Sequence, residues 1–301
     1  MSETQLENLD YGGEGRLEKI PCPLCGSEKF EVLVVEHTIP VVRCVACRLV
    51  FANPRPNREG LQKFYNQYFP PESETLWQIQ MARVFRREGL EKIKQYQELG
   101  ILRPSSPPRL LDVGCGMGFF LDLMRNEGWE VVGVEPAPEA VRHARERLKL
   151  EVVEGTIEIA HFGASFDVVT LWYVLEHVPN PGEILKMIAS FLKPGGILIL
   201  RVPNQSASID RWLSLFGLKK FFLMNPPRHL FDYSAKTIRA FLEKTGYDVL
   251  EVRNSIPRAT GTWLELIRRH LWYLFFQVIY FLTGKKIVQG SSITVYARRK
   301  S

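Results

Sequence analysis

From Arg109 onward, short apolar runs alternate with helical patterns, and that alternation restricts the chain to few folds. The runs are Arg109–Gly114 (RLLDVG), Glu130–Glu135 (EVVGVE), Glu151–Glu154, Phe166–Trp172 (FDVVTLW) and Gly196–Val202 (GILILRV). Helical patterns separate them at Met117–Glu127, Pro138–Leu148 and Gly182–Leu192. Strands joined through helices pair in parallel, and runs apolar on both sides need cover on both faces. The expected class is therefore α/β, with a doubly wound, mostly parallel sheet. Ala235–Thr245 continues as a helix, Tyr247–Val252 as a strand and Ile293–Arg298 as a last strand.

The preceding part has a different texture. Residues 1–16 are polar and read as a flexible tail, 17–53 carry four cysteines and a β-rich stretch, and 54–104 read as a helical linker or lid broken at Pro70-Pro71. The cluster Pro104–Pro108 marks the expected boundary of the main domain, 105–301. Two segments interrupt that domain's rhythm, at 205–228 and 255–291, and insertions of this length usually carry function. Apolar residues at 46% and charged residues at 24% exclude disordered, collagen-like and disulfide-scaffold chains. The net charge of +6 conceals a split. From residue 201 on there are 17 basic and 6 acidic side chains, net +11, which leaves 22 and 27, net −5, for residues 1–200. The basic third is suited to an anionic partner. No apolar signal segment follows Met1, so the cytoplasm is the expected compartment.

The first strand ends in a glycine loop, with Gly114, Gly116 and Gly118 spaced G-x-G-x-G. Glycines allow a tight turn and close approach of a ligand to the backbone. Phe119 stands where the third glycine of the dinucleotide fingerprint belongs, which disfavours a nicotinamide oxidoreductase. Glu135 closes the second strand, 17 residues after Gly118, where a carboxylate accepts hydrogen bonds from ribose hydroxyls; the alternative is a strand end facing solvent.

LLDVGCGMG, VVGVEP, FDVVTLWYVLEHVPNP and LKPGGILILRVPN, in that order, resemble the class I S-adenosylmethionine-dependent methyltransferases over Arg109–Val252 plus the last strand. The resemblance implies a Rossmann-like seven-stranded sheet with an antiparallel last strand. It implies that Asp112, Gly114, Gly116 and Gly118 line the methionine portion and ribose, that Glu135 holds the ribose hydroxyls, and that Pro136 flanks the adenine. Thr156 and Ile157 match the adenine-contacting segment, without the acidic residue often found beside it, and Leu171 and Trp172 would lie near the sulfonium.

Cys22, Cys25, Cys44 and Cys47 form C-x2-C-x18-C-x2-C, a spacing suited to a closed tetrahedral zinc site that is structural rather than catalytic. Four buried or redox cysteines are the alternative. The fifth, Cys115, reads as a packing residue. A four-cysteine ribbon ahead of this domain is similar to bacterial methyltransferases of sugar and natural-product pathways, with Arg48 standing where such ribbons commonly have glycine. That similarity implies a small-molecule, sugar or lipid-linked glycan acceptor.

His177 and His229 are the candidate acid–base residues, His177 with loop packing as its alternative and His229 with loop anchoring. Of a Tyr-x-Glu-His cluster found in sugar C-methyltransferases, only His229 is present, so oxygen and carbon both stay open as the methylated atom. Tyr65 and Tyr68 read as core or lid. The aromatic, cation-flanked stretches 209–223 and 263–286 suit a peripheral contact with the inner face of a membrane; a lid or homodimer contact is the other reading. A non-catalytic zinc-ribbon protein on nucleic acid is the rival function. Lys29, Arg43 and Arg48 are matched by Glu28, Glu31 and Glu36, so no nucleic acid is expected.

Overall fold

The computed structural model describes residues 16–61, 72–162, 165–204, 224–256, 263–284, 288 and 290–300. The expected tail 1–15, Tyr65, Tyr68, the break at Pro70-Pro71 and most of the first insertion lie outside the described residues.

The main sheet has seven strands: β6 (Arg109–Val113), β7 (Glu130–Glu135), β8 (Glu151–Glu154), β9 (Phe166–Trp172), β10 (Leu192–Pro203), β12 (Tyr247–Asn254) and β13 (Ser292–Arg299). Their order across the sheet is β12-β13-β10-β9-β6-β7-β8. The pairs β10/β9, β9/β6, β6/β7 and β7/β8 are parallel, and β13 runs antiparallel to both neighbours. The doubly wound, mostly parallel sheet with its antiparallel last strand is thus present. Every residue of β9 is buried, because helices cover both faces. They are α2 (Phe119–Asn126), α3 (Pro138–Glu146), α4 (Pro181–Phe191) and α5 (Ala235–Lys244). The chain leaves β6 toward β7 and β8, then returns to the other side of β6 through β9. That reversal opens a crevice at the carboxyl ends of β6 and β9.

The segment expected as a linker or lid is, in its second half, a layer of this domain. Helix α1 (Glu72–Glu98) packs on the sheet, with Phe85 stacked on Trp172 at 4.4 Å between ring centroids. Its Glu88 is fully buried against Arg201 of β10, Nη1 to Oε2 3.2 Å. Arg201 also donates to the Tyr173 hydroxyl (2.9 Å) and the Ile256 carbonyl (2.8 Å), and Thr294 donates to Glu88 (3.0 Å). A buried ion pair is tolerable only with such satisfaction. Lys92 pairs with Glu251 farther along α1. The Pro104–Pro108 turn is also clamped: Asp167 accepts from Ser105 N (3.0 Å), Ser105 Oγ (2.6 Å), Arg109 N (2.8 Å) and Lys193 Nζ (2.9 Å).

The cysteine module contains β2 (Phe30–Glu36), β3 (Ile39–Cys44) and β4 (Val50–Ala52), and a separate strand pair joins β1 (Leu17–Glu18) to β5 (Arg55–Pro56). The module is not a free appendage. A two-residue strand of the main domain, β11 (Phe231–Asp232), adds to its sheet, pairing Phe231 with Phe51 and Asp232 with Val50. Arg55 donates to the Pro179 carbonyl, and Lys244 Nζ donates to the Leu24 carbonyl at 2.7 Å. Helix α6 (Trp263–Leu282) fills the second insertion and leans on β12. No helix among the described residues is long and apolar enough to cross a membrane.

Candidate active site

One wall of the crevice is the glycine loop. Gly114 and Gly116 take φ of 72° and 53°. A Cβ on Gly114 would sit 2.5 Å from Val174 Cγ2, and one on Gly116 2.8 Å from Gln78 Oε1. The left-handed conformation favours glycine at both, and at Gly114 the Val174 side chain leaves no room for a Cβ. Gly118 is the N-terminal cap residue of α2. Glu135 braces this loop: its Oε2 accepts from Gly116 N (2.9 Å) and its Oε1 from Ala137 N (3.0 Å). Each oxygen has a second lone pair for a further donor. Asp112 is 2% exposed and accepts from Thr170 Oγ1 at 2.6 Å. Burial, with the nearby Glu135 adding to it, pushes its pKa up to about 8. Burial raises that of Glu135 as well. Two buried acids beside each other form a cradle that a cation would stabilise.

The other expected contacts divide. Pro136 and Thr156 are exposed at the rim. Ile157 and Leu171 are buried in the core beneath it. The Trp172 side chain lies between Phe85 and Phe120, and its buried indole N–H has no partner among the described residues. Cys115 is buried as a packing residue against Gly133.

The opposite wall follows β9. Tyr173 takes a φ of 61° and its hydroxyl meets Ser292 Oγ at 2.8 Å. Glu176 is fully buried with neither carboxylate oxygen bonded among the described residues, and burial moves its pKa up to about 8. His177 Nδ1 bonds the Arg228 carbonyl, which only accepts, so Nδ1 carries the proton and Nε2 keeps a lone pair. Desolvation lowers the His177 pKa to about 4, so the ring is neutral at pH 7. The His229 ring lies 4.9 Å from it, centroid to centroid, and donor atoms of Glu176, His177 and His229 fall within 4.8 Å of one another. The two expected histidines, 52 positions apart in the chain, therefore share one site.

The cysteine module positions His229. The Glu176 carbonyl accepts from Leu230 N (2.8 Å), the Leu230 carbonyl accepts from Ala52 N (3.0 Å), and β11 follows immediately. At the β2–β3 turn, Glu36 accepts from Asn225 N and His37 Nε2 meets Asn225 Oδ1, both at 2.9 Å. His37 is thus part of this support. Within the module, Cys22 and Cys47 sulfurs lie 3.4 Å apart, Cys25 and Cys44 3.5 Å, and all four lie within 4.8 Å of one another. A zinc tetrahedron with Zn–S bonds of about 2.3 Å has edges of about 3.8 Å, so the four sulfurs fit that ion. Gly26 (φ 75°) and Arg48 (φ 68°) make equivalent knuckles, and Arg48 pairs with Glu31 at 3.0 Å. Arg43 pairs with the same Glu31.

Sequence reading missed several residues here. Gln78 of α1 accepts from Met117 N at 3.1 Å and lies against Gly116. His143 Nδ1 bonds the Met117 carbonyl at 3.0 Å. Arg201 left a signal, a charge inside an otherwise apolar strand; Gln78 and Glu88 left none in their charged and polar helix.

Residues 81–252, more than half of the chain, match the family described as a methyltransferase domain. The chain belongs to the methyltransferase-domain family. The match to this methyltransferase domain begins inside α1, in keeping with that helix being a layer of it. Among its relatives, the ubiquinone biosynthesis O-methyltransferase of Xanthomonas campestris pv. campestris (strain B100) is 38% identical over 109 residues, 33% of this chain and 44% of that protein. The protein of the same name from Yersinia pestis (strain Pestoides F) is 34% identical over 131 residues, 41% of this chain and 53% of that one. The chain thus spans about half the length of these curated relatives. A solved S-adenosylmethionine-dependent methyltransferase from Clostridium acetobutylicum ATCC 824 superposes with a TM-score of 0.49 at 11% identity, over 73% of this chain and 92% of that one.

Proposed function

We propose that this protein is an S-adenosylmethionine-dependent methyltransferase acting on a hydroxyl of a small organic acceptor. The observation that carries the reading is the glycine loop braced by Glu135 at the crevice, with the His177–His229 pair facing the same edge. The close space at Gly114 and Gly116, the two buried acids and the unpartnered Trp172 indole suit the donor's ribose, amino acid and sulfonium. Asp112 and the loop would hold the methionine portion and ribose, Glu135 the ribose hydroxyls, and Pro136, Thr156 and Ile157 the adenine side. When bound, the donor supplies an electrophilic methyl group, so the protein's contribution is alignment and proton removal.

His229 takes the acceptor's hydroxyl proton, and His177, held neutral, keeps a second positive charge away from it. A carboxyl oxygen of Glu176 lies within 4.8 Å of a ring nitrogen of each histidine. Oxygen as the methylated atom is favoured because the named relatives are O-methyltransferases and because a hydroxyl needs such a base. A sugar or lipid-linked glycan hydroxyl is compatible with it. Cys22, Cys25, Cys44 and Cys47 hold a structural zinc, and its work is to fix the segment bearing His229. The non-catalytic nucleic-acid reading loses support from the Arg43 and Arg48 pairings with Glu31.

Calorimetric titration with S-adenosylhomocysteine tests the donor site: saturable binding supports it, and no heat overturns it. His229→Gln is expected to keep that binding and lose about 10²–10⁴-fold in turnover. Unchanged turnover removes the base role.

A further inference from the structure

Helix α6 is built inside out for water. Its inner side carries the hydrogen-bonding groups: the Tyr280 hydroxyl donates to Glu251 (3.1 Å) and Gln277 donates to the Asn254 carbonyl (3.5 Å). Phe276 is buried, and Asn254 Nδ2 donates to its carbonyl at 3.3 Å. The outer side is hydrocarbon. Trp263, Ile267, Leu271, Leu274, Phe275, Val278, Phe281 and Leu282 are each at least half exposed, at helical spacing. A surface helix of a water-bathed protein has the reverse distribution, and an apolar face this large marks a contact. From Leu271 to Leu282 no residue is charged, and the whole helix is about 30 Å long.

Charge selects the partner. Residues 253–300 contain nine Lys or Arg and one acidic residue, Glu265, net +8. A two-fold dimer through α6 would bring that basic segment against its own copy, which is repulsive. An anionic bilayer covers the hydrocarbon and neutralises the cations together. The position fits as well. β12 runs antiparallel to β13 and β13 antiparallel to β10, so Asn254, at the end of β12, lies on the same sheet edge as the crevice. Ile256, two residues on, bonds both Arg201 and Glu88.

We infer that α6 is an interfacial helix that lies in the surface of an anionic membrane, docking the carboxyl edge of the sheet on lipid. The inference does not rest on the methyltransferase reading, and its test reads lipid binding rather than turnover. The full chain is sedimented with vesicles of phosphatidylcholine alone and with vesicles containing phosphatidylglycerol. Binding is expected to the second, decreasing as salt is added. The variant Phe275→Glu/Phe281→Glu changes only outward side chains and is expected to lose at least about tenfold in vesicle partition. Its melting curve and S-adenosylhomocysteine binding should match the parent. The parent remaining in solution with both vesicles overturns the inference. So does equal pelleting of the variant, and so does a solution dimer, seen by light scattering, that the two glutamates dissociate.

Discussion

The two walls of the crevice are made differently. The glycine-loop wall comes from one continuous stretch, 109–160, whose three strands, two helices and connecting turns carry every expected donor contact but Leu171 and Trp172. The histidine wall is assembled from the cysteine module, α1, the β9 loop and the segment ahead of β11. Local backbone geometry makes the first wall, and long-range support makes the second. The first takes one distant support, the Gln78 contact of α1 on the loop. The second depends on the four-cysteine module, whose cysteines lie 182 to 207 positions ahead of His229.

The sharpest way to break this contrast is to remove the module's metal. Cys44→Ser should lower zinc to well below one per chain by elemental analysis. It should reduce turnover by roughly 100-fold or more, while S-adenosylhomocysteine still binds within a few-fold, because structural zinc contributes of order 10 kcal/mol to such modules. Equal loss of both would show that the walls are not independent. The converse change is Gly114→Ala, whose Cβ meets Val174 at φ 72°. It should cost about 2–4 kcal/mol in donor affinity and stability together, read by calorimetry and thermal melting. Glu135→Ala should weaken donor binding by about 1.5–3 kcal/mol, and unchanged affinity would remove its ribose role.

Titration sharpens the contrast further. Asp112 and Glu176 have folded pKa values raised to about 8, so the folded protein binds protons that the unfolded chain has released. Their contribution to stability is full below the ordinary carboxylate pKa and is lost as pH rises toward 8. The melting temperature of the donor-free protein should therefore carry a declining contribution up to pH 8, reduced in Asp112→Asn. A sulfonium favours the ionised acid, so donor affinity should rise with pH over the same window, with proton release visible in buffers of different ionisation heat. The smallest effect is expected at Arg48→Gly, where relief of a left-handed arginine offsets the lost Glu31 pair. Stability should change by less than about 1 kcal/mol.

How much the sequence disclosed follows the same division. The parallel sheet and the glycine-loop wall were legible because they need specific residues at short, fixed spacing: Gly114, Gly116 and Gly118 after a strand, then Glu135. The cysteine quartet was legible for the same reason. The function of its module was not, because nothing near Cys44 foretells that Phe51 pairs with Phe231. Gln78 and Glu88 were hidden because polar residues on an amphipathic helix ordinarily face solvent. The inner and outer sides of α6 could not be told apart either, since aromatic residues occupy both.

The burial of Glu88 has a consequence for how helix α1 can move. Beyond Glu88, helix α1 is fixed to β10 and β12 by Arg201 and by the Lys92–Glu251 pair, so it cannot swing away as a rod. The stub ahead of it, from Glu72 to Gln80, bears the Gln78 contact on the loop but not those anchors. Any displacement of α1 is thereby confined to the turns ahead of Glu88, the part that bears on the glycine loop.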